Sequence, residues 1–177
     1  MDMRAGALDV ERMDTSTIEE EWAAWEARCS VSHAGHFTSR RNTSIAFHHL
    51  HKPKNALRVA LATSGGVYVD GTPPFDMISH AGDESIRWIP GDVDTARLHF
   101  AHDHYDHTDP DQDPNCIFPL DRLREMASDG AIGSVAREHV GFMGWIPDPA
   151  RFADEVVPSV VDRLVADQVD AVVLTPG

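Results

Sequence analysis

The sequence predicts an α/β domain, a mainly parallel sheet flanked by helices. Two nearly continuous apolar runs come first in that argument: Leu57-Arg58-Val59-Ala60-Leu61-Ala62-Thr63 and Asp170-Ala171-Val172-Val173-Leu174. Such runs suit strands buried on both faces, whereas a half-exposed antiparallel strand alternates. Between them, residues 120–127 and 150–167 carry apolar residues at helical spacing. The order strand, strand, helix, helix, strand then favours parallel neighbours joined by crossovers, as in a Rossmann- or flavodoxin-like domain.

Composition narrows the class. With 177 residues, 42% of them hydrophobic, the chain can bury a sizeable core. A formal net charge of −14 opposes a nucleic-acid-binding face and docking on anionic membranes, and supplies solubility. Cys29 and Cys116 are too few and too far apart for a disulfide framework. No apolar run approaches a membrane span, so a reducing cytoplasm is the expected compartment.

The elements follow in order. Residues 1–15 are mixed and polar. Ser16 and Glu19 fit a capping box, and Ile18, Trp22 and Trp25 give the following helix an apolar face to about Arg28. That Trp pair suits either a core or a partner contact. His33, His36, His48, His49 and His51 lack the spacing of a compact metal site and read as loop or surface residues. Residues 1–55 thus form an N-terminal helix and polar segment, and 56–177 the α/β domain.

Ser64-Gly65-Gly66 ends the first strand with a glycine turn at its carboxyl end, the edge where α/β proteins bind ligands, although ordinary turns use the same residues. Val67-Tyr68-Val69 is a short extension, and Asp70 to Pro74 a turn. Ala96 to Ala101 reads as a second strand, expected beside those at 57–63 and 170–174. Pro110 and Pro114 keep the next stretch irregular. Pro119 suits a first helical turn, Leu120, Leu123 and Ala127 form the stripe, and Gly130 is a fitting stop. Residues 131–144 are punctuated by glycine. In the helix at 150–167, Phe152, Val156, Val160 and Leu164 share a face, and Pro158 must kink or restart it. The last strand, Asp170 to Leu174, is expected to be buried on both faces.

His102-Asp103-His104-Tyr105-Asp106-His107 concentrates the chemistry. Three imidazoles and two carboxylates, the groups most used for metal ligation and proton transfer near neutral pH, fall within six positions. A solvated loop braced by hydrogen bonds would use the same residues. The pattern H-x-H-x-D-H is similar to the signature of metallo-β-lactamase-type hydrolases, which would make His102, His104, Asp106 and His107 metal ligands. The context opposes that alternative: several strands should precede the motif, and His139 is the only later histidine. Asp109, Asp111, Asp113 and Asn115 alternate as in a calcium loop, but Pro114 and Leu120 stand where glycine and glutamate are needed. No nucleophile elbow, P-loop or dinucleotide fingerprint is present. Cys116 could be a nucleophile, but the adjoining Ile117-Phe118 favours a buried, inert thiol.

Several segments in fixed order outweigh the single motif. They are Ala60 to Val67, Pro74-Phe75-Asp76, His104 to Asp109, Asn115 to Arg124, Gly130 to Ala136, His139, Gly141 to Gly144, and Val169 to Pro176. Together they resemble the selenoprotein B family of glycine, sarcosine, betaine and D-proline reductases. The resemblance implies a reductase subunit that acts on a small amine or amino acid. A partner subunit would carry a pyruvoyl group that captures the substrate. A selenocysteine, ionised at neutral pH, would then attack the α-carbon and break the C–N bond. A thiol, and then a thioredoxin-like or other dithiol reductant, would reset the selenium.

The resemblance also sets expectations for residues. His102, His104, Asp106 and His107 become candidate pocket residues, with an imidazole protonating the leaving amine. Gly65, Gly66, Tyr105 and Cys116 become candidate substrate contacts. The redox selenocysteine or cysteine would directly follow Leu174-Thr175-Pro176, beyond Gly177, and neither Cys29 nor Cys116 occupies that position. The expectation is an α/β reductase domain with its C-terminal part missing, as a selenocysteine codon read as stop would produce. Such a chain would be inactive alone and would expose apolar surface where the next helix packs.

Overall fold

This computed structural model describes residues 15–32, 46–79, 82–102 and 105–176. The chain divides into two compact units, Met1–Arg41 and Asn42–Gly177. In the first, helix α1 (Thr15–Ser32) includes both Thr15 and Ser16, so Ser16 is not the expected cap, and the helix runs past Arg28. The rings of Trp22 and Trp25 lie 5.1 Å apart at 50°, and Trp25 is exposed. His33 and His36 lie outside the described residues.

The second unit opens with exposed His48, His49 and His51 and then builds its main sheet around β1 (Arg58–Thr63). On one side β1 pairs in parallel with β5 (Ser134–Val135) and β6 (Glu138–Gly141). On the other it pairs in parallel with β7 (Ala171–Thr175), from Val59↔Ala171 to Thr63↔Thr175. Strand β3 (Arg87–Pro90) adds antiparallel to β6. The mainly parallel α/β class is therefore realised, and the strands at 57–63 and 170–174 are neighbours.

The strand expected at 96–101 is not their neighbour. Strand β4 (Leu98–Phe100) pairs antiparallel with β2 (Val67–Val69) in a separate two-stranded sheet. Its burial pattern gives the reason: Leu98 and Phe100 are buried while His99 is exposed. That alternation suits an antiparallel strand with one wet face.

β1 is buried on both faces. Val59 and Leu61 pack with Ile89, Leu98, Phe100, Phe118 and Leu120. Ala60 and Ala62 pack with Ala136, Val140 and Leu164. Helix α2 (Thr108–Gln112) follows β4, and helix α3 (Leu120–Ser128) sits on the first layer through Leu120 and Leu123. Gly130, at φ +72°, follows the end of α3. On the second layer lies a helix that restarts as the sequence demands. A short turn α4 (Pro149–Arg151) widens into a π turn at Phe152–Val156, where Val157 N–H bonds to Phe152 C=O, and α5 (Val157–Ala166) continues with Pro158 in its first turn. The π turn leaves room for a proline ring that would crowd a regular helix.

Strand β7 departs from expectation in burial. Val172, Val173 and Leu174 are 39%, 44% and 73% exposed. By register, Val172 and Leu174 lie on the face of Ala60 and Ala62, and Val173 on that of Leu61. Side chains on both faces are therefore exposed, and because among the described residues β7 pairs with β1 alone it is also an edge strand. No described helix is long and apolar enough to cross a membrane.

Candidate functional site

The carboxyl ends of β1 and β6 meet the end of β4 at a knot of glycine backbone. Phe142 N–H donates to Thr63 C=O at 3.0 Å, Gly66 N–H to Phe142 C=O at 3.1 Å, and Ala101 N–H to Gly66 C=O at 3.0 Å. Gly65 and Met143 form an isolated antiparallel bridge. At Gly66 the backbone has φ +70°, and a Cβ would sit 2.4 Å from Ala101 C=O. A Cβ on Gly65 would lie 2.5 Å from the Cγ2 methyl of Ile117 and 3.3 Å from the Tyr105 hydroxyl. Only glycine lets these segments close on one another.

The aromatic part of the sequence cluster packs onto this knot. Tyr105 Oη–H donates to Gly65 C=O at 2.9 Å. Burial, aided by the charge of Asp111, pushes the Tyr105 phenol up to about 12, so it remains a donor through the neutral range. The His102 ring, buried, lies 4.6 Å from that of Tyr105. Its Nε2 is 3.3 Å from where a Cβ on Gly144 would stand. The His107 ring lies 6.2 Å from Tyr105, edge to face, and its Nδ1 is 2.7 Å from Asp111 Oδ2.

The remaining candidates divide. Asp106 Oδ1 accepts from Thr108 Oγ1 at 2.6 Å and from Thr108 N–H at 3.0 Å, which holds its carboxyl below the usual range and occupies it in the turn that leads into α2. His104 lies outside the described residues. Cys116 is exposed rather than buried, because it ends the 3-10 turn Pro114–Cys116, and the next residue, Ile117, turns inward against Gly65. Thus His102, Tyr105, Gly65 and Gly66 converge, His107 adjoins them through Tyr105, and Asp106 braces the loop. Among the described residues no group of three or more His, Cys, Asp or Glu side chains converges as a metal site.

Sequence reasoning missed Thr63, whose Oγ1 accepts from Gly65 N–H at 3.1 Å, and Met143, whose sulfur abuts Gly66. Thr175, level with Thr63 on β7, has a buried hydroxyl without a hydrogen-bond partner among the described residues. A threonine ending each apolar strand was the available signal.

The segment Asn115 to Arg124 has a structural explanation. Asp121 accepts from Thr95 at 2.8 Å, Asn115 at 3.1 Å and Arg124 at 2.9 Å. Burial would raise its carboxyl, but these hydrogen bonds outweigh burial and keep it low. Arg124 also donates to Gly91 C=O at 2.9 Å and Val93 C=O at 2.6 Å. These polar residues anchor α3 to the loop after β3 rather than facing the glycine knot.

The model of the glycine/sarcosine/betaine reductase selenoprotein B family matches residues 42–177. The chain belongs to this family. Among curated members, D-proline reductase subunit gamma of Acetoanaerobium sticklandii is 39% identical over 121 residues, 68% of this chain and 49% of the relative. Glycine reductase complex component B subunit gamma of Peptoclostridium acidaminophilum is 31% identical over 129 residues, 70% of this chain and 28% of the relative. Sarcosine reductase complex component B subunit beta of the same organism is 30% identical over 129 residues, 70% and 29% of the two chains. The chain therefore spans half or less of the length of these family members. No solved structure matches it.

Proposed function

We propose that this chain forms part of the substrate-cleaving subunit of an amino-acid or betaine reductase, acting with a pyruvoyl-bearing partner subunit in the cytoplasm. The observation that carries the reading is the match to the selenoprotein B family over 42–177. The convergence of Tyr105, His102 and Gly65 at the carboxyl edge of the parallel strands supports placing the substrate there. The partner's pyruvoyl group would supply electrophilic capture of a primary or secondary substrate amine, a step that the quaternary nitrogen of betaine does not undergo.

In this reading His107 is the proton donor to the leaving amine. The Asp111 carboxylate, 2.7 Å from its Nδ1, orients the ring and leaves Nε2 available. His102 and Tyr105 form the wall, and Tyr105 fixes the Gly65 turn by its hydroxyl. Asp106 keeps the loop folded. Cys116 is too exposed to form a closed substrate contact and is placed at the rim. His104, between His102 and Tyr105 in the sequence, completes the candidate set.

The redox selenocysteine or cysteine is proposed to lie on polypeptide that covers β7, where Val172, Val173 and Leu174 are open on both faces. The frame beyond the Gly177 codon tests this placement directly. A UGA followed in frame by a further βα unit is the expected finding.

The activity test uses the full gene product made in a host that inserts selenocysteine, with the pyruvoyl subunit and a dithiol. Glycine, sarcosine, betaine and D-proline are offered in turn. Reductant-dependent release of the amine from glycine, sarcosine or betaine, or ring opening of D-proline to a linear amino acid, supports the reading. Reductant-independent hydrolysis together with about two tightly held zinc or iron ions per chain would replace it with the hydrolase.

A further inference from the structure

The parallel ladder between β1 and its β5/β6 partner is interrupted. From Val59↔Val135 to Ala62↔Val140, β1 advances three residues while its partner advances five. The two extra residues form a bulge in which Ala136 still bonds to β1 while the Arg137 backbone is used elsewhere. Ala136 N–H donates to Val59 C=O at 2.9 Å. Arg137 N–H donates to Asp167 Oδ2 at 2.8 Å, and Arg137 C=O accepts from Gly91 N–H at 2.7 Å. Leu61 N–H, in the buried centre of β1, must therefore find another acceptor. It donates to His139 Nδ1 at 2.9 Å.

His139 is completely buried and stands edge-to-face with Phe118, the ring centroids 5.8 Å apart. An Nδ1 that accepts must carry a lone pair, so the ring is neutral and its proton is on Nε2. That Nε2 has no hydrogen-bond partner among the described residues. A buried donor left unsatisfied costs about 1–3 kcal/mol, so a residue chosen only for packing would not be histidine. Two residues beyond His139 and Leu61 along their strands lie Gly141 and Thr63, the register pair at the base of the glycine knot.

We propose that His139 is a positioning residue: its neutral imidazole replaces the main-chain acceptor lost at the bulge, and so sets the β1–β6 register from which the Gly65–Gly66 and Met143–Gly144 segments hang. The role does not depend on which reaction the site performs. It belongs to the described fold.

The test exploits side-chain geometry. Asparagine places an acceptor near the position of Nδ1, glutamine one near Nε2, and leucine none. Leu61 amide exchange, read by NMR in the 177-residue chain, should be slow in the wild type and in His139→Asn. It should be faster by about tenfold or more in His139→Gln and His139→Leu. The amide shifts of Gly65, Gly66 and Gly144 should move in the same two variants and be restored in His139→Asn. The wild-type imidazole should show a protonated Nε2 and a bare Nδ1 by nitrogen NMR. Equal Leu61 protection in the asparagine and glutamine variants, or a protonated Nδ1 in the wild type, would overturn the proposal. If the leucine variant fails to fold, the Asn–Gln comparison and the wild-type tautomer decide the matter.

Discussion

His139 makes stability depend on pH. Burial, with the Arg124 charge adding to it and Asp167 opposing it, lowers the imidazole from 6.5 to about 4. Below 6.5 the unfolded chain takes up a proton that the folded chain refuses until about 4. The contribution is present above 6.5 and is lost as pH falls through that window. At about 1.4 kcal/mol per pH unit it amounts to roughly 3 kcal/mol. Urea titrations at pH 7 and pH 4.5 should differ by about this amount after subtraction of a His139→Asn reference. Tyr105→Phe removes one hydrogen bond to Gly65 and should cost about 1 kcal/mol by the same measurement. Gly66→Ala meets both a left-handed φ and Ala101 C=O, and should cost more, about 2–4 kcal/mol. In the assembled reductase, His107→Asn should lower kcat by about 100-fold with little change in KM. At this scale the sequence marked Gly65, Gly66, His102 and Tyr105 because unusual residue types stand at a strand end. It did not mark Asp106 as tied to Thr108 or Cys116 as exposed, because each outcome depends on which neighbour the loop presents.

Elements were legible where the apolar pattern is continuous or helical. β1, β7, α3 and α5 stand near the expected places, and Pro158 imposes its π turn. Strand β3 and the β5/β6 pair were not legible. Each has only two to four residues, and the bulge between β5 and β6 hides their joint length. The strand at β4 was placed in the wrong sheet, although the alternation Leu98-His99-Phe100 carried the correct answer. Asp121 shows how a polar signature can serve an element. It joins Thr95, Asn115 and Arg124, so α3 is anchored as well as packed. Asp121→Ala and Arg124→Ala should each cost about 1–3 kcal/mol. Because they share a hydrogen bond, the double variant should cost less than the two together, by about 0.5–2 kcal/mol in a double-mutant cycle on thermal unfolding.

For the whole molecule, the contrast between β1 and β7 is the decisive feature. Both are apolar and they pair over five residues, yet β1 is buried on each face while the three central side chains of β7 are exposed. Parallel strands of this composition are normally covered by helices, so the open strand is a surface built for contact. Val161 and Val165, 49% and 65% exposed on α5, add to the apolar area of the same unit. The net charge of −14 keeps the chain in solution but does not cover this strand. A charge at Leu174, the most exposed β7 residue, separates the uses of that surface. In the 177-residue chain, Leu174→Lys should change folding stability by less than about 0.5 kcal/mol, since little packing is lost. It should also reduce self-association in sedimentation velocity, because an exposed apolar edge strand is a pairing template and lysine blocks it. Where the proposed polypeptide covers β7 in a longer gene product, the same substitution buries an ammonium beneath it. Unfolding there should become easier by about 3 kcal/mol or more. Equal, small effects in both proteins would mean that β7 stays open and would overturn the proposed placement of a redox residue on polypeptide covering it.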